Sequence, residues 1–214
     1  MGFLKGGPFY HMVGKVGNNV GRIVNGKNVL SMAPASGNRT PSPARLVINQ
    51  KFGLITGWMA QISQFIRIGF EDHSPEMSAW NAAISYNFLN SITGVAPNFT
   101  IDYPKVLFSQ GKLAKGKSVE MATTTDAQLD FSWAAGVPAL FMGAPTDKLV
   151  VIVYNPAKQE WAVSIGDAMR STLSFDMVLP VDWSGDSVYP YVSFISADEK
   201  YASTSQFQGM VVVQ

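Results

Sequence analysis

Not one of the 214 residues is a cysteine. That excludes thiol catalysis, disulfides and every zinc site built on thiolates. Histidine is almost as scarce, limited to His11 and His73. No run approaches the roughly 20 apolar residues of a membrane-spanning helix. Gly, Lys and Asn interrupt the first thirty residues, so the apolar core of a secretory signal is missing. Met1-Gly2 opens like a myristoylation signal, but position 6 is Gly where Ser or Thr is required. These absences predict a soluble chain made in the cytoplasm without a recognisable signal peptide, and leave open a place in a virion or an extracellular assembly.

Charged residues make up only 14% of the chain, and they are unevenly placed. Residues 1–70 carry Lys5, Lys15, Arg22, Lys27, Arg39, Arg45, Lys51 and Arg67 and no acid. Residues 71–214 carry the other eight basic residues and all 15 acids, a net of −7. Such polarity between halves points to a partner, either the other half of the same molecule or the opposite half of the next copy. Nucleic acid ranks last, because the basic residues are spread singly and phosphate binding needs a clustered patch. Lys15, Arg22, Lys27, Arg39 and Arg45 are therefore the candidate assembly-interface residues.

What the chain has in quantity is apolar side chains, at 47%, with 19 Gly and 12 Pro. This suits a sizeable core broken by many turns. Residues 9–33 read as a Gly-punctuated β meander. Within it, Asn25-Gly26 suits the two positive φ angles of a type I′ hairpin turn, and His11 falls in the first strand as a packed or interface residue. Residues 34–43 are a loop. Ser42 and Pro43 then supply a cap and a first helical residue. Ile48, Phe52, Ile55, Met59, Ile62 and Ile66 trace one face of the helix that follows. Gly53 and Gly57 on it would admit another backbone, and Gly69 stops it. A second helix is expected from Ser74-Pro75 to Gly94. From residue 100 the period changes to two. Strands are expected at 105–110, 118–123, 127–133, 148–155, 159–165, 171–178, 187–196, 201–207 and 210–213, the spacing of a β-sandwich. The expectation is an α+β, mainly β chain: a basic region 1–103 of hairpins plus a two-helix hairpin, then an acidic antiparallel sandwich at 104–214.

Ala127-Gln128-Leu129-Asp130-Phe131-Ser132-Trp133 resembles the second strand of a fibronectin type III domain, and Tyr189 to Ser205 resembles its last hairpin. The resemblance implies a sandwich with Trp133 and Tyr191 in its core. Gly14 to Gly21, Asn81 to Asn87, Ile101 to Leu107 and Trp183 to Asp186 together resemble an uncharacterised Bacteroidota family known only as a domain of unknown function. That likeness implies architecture and carries no catalytic residues.

The chemistry-bearing motifs are thin. Glu71 to Glu76 around His73 offers metal-ligand types, but reads first as a solvated turn before a helix. Asp182-Trp183-Ser184-Gly185-Asp186 is the nearest approach to a Ca²⁺ loop, against an ordinary polar turn. Asn38-Arg39-Thr40 and Asn98-Phe99-Thr100 match the glycosylation sequon. Trp161 and Trp183 could stack on sugars if exposed. No nucleophile and base pair up, and no cofactor fingerprint occurs. The expected function is a non-enzymatic, cofactor-free structural protein that forms a homo-oligomer or polymer through head-to-tail contacts. The alternative is a module that recognises a glycan or protein partner through sandwich loops.

Overall fold

The computed structural model describes residues 2–24, 26–34, 40–71, 77–136 and 143–214. It divides into two compact units, Met1–Ser42 and Pro43–Gln214. The boundary expected at 103/104 thus falls inside the second unit, because the helices share a core with the sandwich.

The first unit is an antiparallel sheet of β1 (Gly2–Leu4), β2 (Gly14–Val16), β3 (Asn19–Val24) and β4 (Lys27–Met32), in the order β1-β4-β3-β2. Val24 pairs with Lys27, which leaves a two-residue loop with Gly26 at φ 72°. This is the geometry an Asn-Gly turn requires, although Asn25 itself lies outside the described residues. Gly21 is needed for a different reason: a Cβ there would strike the carbonyl of Met12. His11 is not in a strand. It stands in a turn at φ 67°, its ring 4.2 Å from that of Tyr10.

The second unit opens with α1 (Pro43–Met59), a 3-10 turn at Ala60–Ile62, and α2 (Ser63–Gly69), together one helical run of 27 residues. Its stripe is buried only over its later part. Ile55, Met59, Ile62 and Ile66 are 0–4% exposed, whereas Ile48 and Phe52 are 55% and 53% exposed. The expected Ser74-Pro75 start of the next helix lies outside the described residues. α3 (Ala79–Asn90) is capped by Ser78, whose side chain accepts from the Asn81 N–H at 3.3 Å. It ends four residues before the expected Gly94, because the chain turns at once into the hairpin of β5 (Ile92–Val95) and β6 (Asn98–Ile101). Gly94 belongs to that hairpin at φ 92°, where a Cβ would strike the Asn98 carbonyl. Among the described residues no helix is long and apolar enough to cross a membrane.

The strand expected at 105–110 is absent, because side chains claim its backbone groups. Asn87 donates through Nδ2 to the Leu107 carbonyl at 2.8 Å, and its Oδ1 accepts from the Leu107 N–H at 3.0 Å. Ser91 holds the Lys105 carbonyl, and Ser205 takes the Phe108 N–H. The sandwich follows as β7 (Lys117–Ala122), β8 (Gln128–Ala134), β9 (Lys148–Asn155), β10 (Glu160–Met169), β11 (Ser174–Val178), β12 (Ser187–Ile195), β13 (Gln206–Phe207) and β14 (Val211–Val212). One sheet has the order β10-β9-β12-β13, with β14 also on β12; the facing sheet has the order β11-β8-β7. All the strand pairs are antiparallel, as a fibronectin type III-like sandwich requires.

Alternation along the strands divides the apolar residues between two cores. Leu129, Phe131 and Trp133 meet Leu149, Val151, Val153, Val192 and Phe194 between the sheets. On the opposite face of the larger sheet, Val150, Ile152, Tyr191 and Ile195 pack with Ile55, Met59, Phe65 and Ile66. The unit therefore has three layers, helices over one sheet over another. Trp133 lies where expected. Its Nε1–H donates to the Arg170 carbonyl at 2.8 Å, its ring meets Phe194 edge-on at 5.6 Å, and Arg170 pairs with the buried Asp147 at 2.9 Å. Tyr191 is buried too, but under the helices instead of between the sheets, and its hydroxyl donates to the Tyr103 carbonyl at 2.7 Å.

Candidate functional site

Strand register places three of the five candidate interface residues together. Lys15 pairs with Val20, Arg22 with Val29 and Lys27 with Val24. Direct partners and alternate positions share a face, so all three belong to one face of the first unit's sheet, and all three are exposed. Phe3, paired with Val29, shares that face at 64% exposure, and Val24 at 46%. Phe9, Val13, Val16, Ile23 and Met32 are also exposed elsewhere in this unit. A sheet this small cannot cover its own apolar side chains. Arg45 belongs to α1 in the other unit, and Arg39 lies outside the described residues.

The acidic counterpart was not singled out from sequence. On the outer face of the three-stranded sheet, Asp130 stands directly opposite Asp176, and Glu120, opposite Ser132, shares that face. Among the described residues none of the three carboxylates has an ion-pair partner; Lys117 stands at the end of the same ladder. Hydrogen bonds from Thr124 and Gln128 hold the Asp130 carboxyl below its ordinary range, so it remains ionised.

A second feature is a cleft of about 550 Å³ bounded by α1, β6, and the turn between β9 and β10. Trp58, Tyr103, Tyr154 and Trp161 form its wall, with ring centroids 4.5–6.0 Å apart in contacting pairs. Phe99 adds an edge, with the Lys51 ammonium 4.9 Å from its centroid. Gln61, Thr100 and Gln159 supply exposed polar groups. Asn155 shapes the turn that carries Gln159. Its Oδ1 accepts from the Ala157 and Lys158 N–H groups, and its Nδ2 donates to Asp186. Burial, with Tyr154 and Tyr189 nearby, pushes the Tyr103 phenol up to about 12, so it stays a neutral hydroxyl. The spacing of Gly53 and Gly57 suggests a close backbone approach, but no backbone of the described residues lies against either. A Cβ at either would meet nothing within 4 Å, and both line the open cleft.

Of the remaining candidates, Trp183 is 1% exposed in the inter-sheet core and offers no sugar face. Trp161 lines the cleft. Asp182 pairs with Lys158 at 3.0 Å, and Asp186 accepts from Asn155 at 2.8 Å. The motif around His73 lies outside the described residues, except Glu71, and so do Asn38 and Arg39 of the first sequon.

A family model described as a family of unknown function (DUF6266) matches residues 11–209. No curated protein matches the chain. The match covers most of both units, and the chain belongs to that family.

Proposed function

We propose that this member of the DUF6266 family is a non-enzymatic structural subunit, of a virion, tail or filament, that self-assembles head to tail. The basic face of the first unit's sheet in one copy meets the acidic outer face of the three-stranded sheet in the next. The observation that carries this reading is charge segregation by face: Lys15, Arg22 and Lys27 share one sheet face, while Glu120, Asp130 and Asp176 share another. Phe3 and Val24, exposed among the cations, and Val178, 76% exposed on the acidic face, supply apolar area for the contact. A contact between two different surfaces does not close as a two-fold dimer, so it propagates into rings or open polymers.

Negative-stain microscopy of concentrated protein in low salt tests this. Rings, tubes or fibres are expected, and dispersed single particles would count against it.

A further inference from the structure

The geometry points to a second role for the chain: the cleft between α1 and the β9–β10 turn binds a neutral carbohydrate, with Trp161 as the stacking platform and Gln61, Thr100 and Gln159 as hydroxyl partners. This does not rest on the assembly reading, since no residue named for either assembly face lines the cleft.

Three observations select the ligand class. The first is size: about 550 Å³ falls within the roughly 300–1,000 Å³ of small-ligand sites. The second is chemistry. Aromatic faces take up the C–H side of a sugar ring, while the amides of Gln61 and Gln159 and the Thr100 hydroxyl both donate and accept, as a polyol requires. Among the described residues no acid or base lines the cleft, which argues against a charged ligand. A quaternary ammonium would need rings standing around it, each within about 6 Å of the cation. Here the rings touch one another and form a wall, and the nearby cation, Lys51, would repel such a ligand. The third is the pair of helix-interior glycines. Gly costs a helix about 1 kcal/mol relative to Ala, and no neighbouring atom requires it at 53 or 57. Both line the cleft, and their lack of a side chain leaves that space open.

Intrinsic tryptophan fluorescence titrated with neutral hexasaccharides of glucose, mannose, xylose and galactose, up to about 1 mM, tests the site. An oligogalacturonide and trimethyl-lysine serve as charged comparisons. At least one neutral sugar should bind saturably. Trp161→Ala should weaken that binding about tenfold or more. Gly57→Leu, at a position where a Cβ meets nothing within 4 Å, should abolish it while the circular dichroism and melting curve stay those of a folded protein. Absence of binding by every neutral sugar, preference for either charged probe, or undiminished binding in a folded Gly57→Leu variant would overturn the proposal.

Discussion

Asp130 and Asp176 are direct cross-strand partners on β8 and β11, two carboxylates facing each other on an exposed sheet. Like charges directly opposite destabilise a sheet, and cross-strand pairs are worth about 0.2–1 kcal/mol. Asp176→Asn should therefore raise the stability of the isolated subunit by up to about 1 kcal/mol. The same change should slow assembly, because it removes charge from the acidic face. Chemical denaturation and light scattering on one preparation read both signs. An unchanged assembly rate would remove this face from the contact.

Asn87 is buried, and its side chain holds both backbone groups of Leu107. Asn87→Ala would leave that N–H and C=O without their partner in a partly buried segment. Each buried unsatisfied group costs about 1–3 kcal/mol, so denaturant melts should show a loss of at least that size. A loss below half a kcal/mol would mean that the 105–108 segment is held by something else.

Gly53→Ala and Gly57→Ala should each stabilise the fold by about 0.5–1 kcal/mol, because Ala is the better helix former and a Cβ meets nothing there. A lower melting temperature in either variant would show that the glycines pack against a surface after all.

Much of the fold could be read from sequence, and the misses share a cause. The start of α1 at Ser42-Pro43, the tight hairpin turn at Gly26 and the bounds of β9 followed from local signals that tertiary contacts did not override. The placement of the helices did not. It depends on what covers the outer face of the larger sheet, a contact between segments far apart in sequence. A signal was there in the unbroken apolar run Leu149-Val150-Val151-Ile152-Val153-Tyr154: a strand buried on one face alternates, whereas one covered on both reads continuously. The same run placed Val150 and Ile152 under the helices. The cleft was half legible, since Trp161 drew notice while its partners Trp58, Tyr103 and Tyr154 come from three other segments. The facing of Asp130 and Asp176 needed strand register, which composition does not contain.

Trp133 fills the inter-sheet core at 4% exposure and donates to the Arg170 carbonyl. Trp133→Ala should cost about 3–5 kcal/mol, a large part of a total stability of about 5–15 kcal/mol. Trp133→Phe keeps most of the apolar volume but loses the donor, and should cost less. Equal melting temperatures for wild type and Trp133→Ala would contradict the sandwich register.

The most direct test of the assembly account is the light-scattering growth rate of three proteins at low and high salt. They are the wild type, a Lys15→Glu/Arg22→Glu/Lys27→Glu variant, and that variant with Glu120→Lys and Asp176→Lys added. Screening shortens from about 10 Å at 0.1 M salt to about 3 Å at 1 M, and charge acts mainly on encounter rate. The wild type should assemble fastest in low salt and slow as salt rises, the triple variant should be slow throughout, and the double-sided variant should recover. A wild type that stays monomeric at high concentration in low salt, or a triple variant that assembles as fast as wild type, would contradict the account.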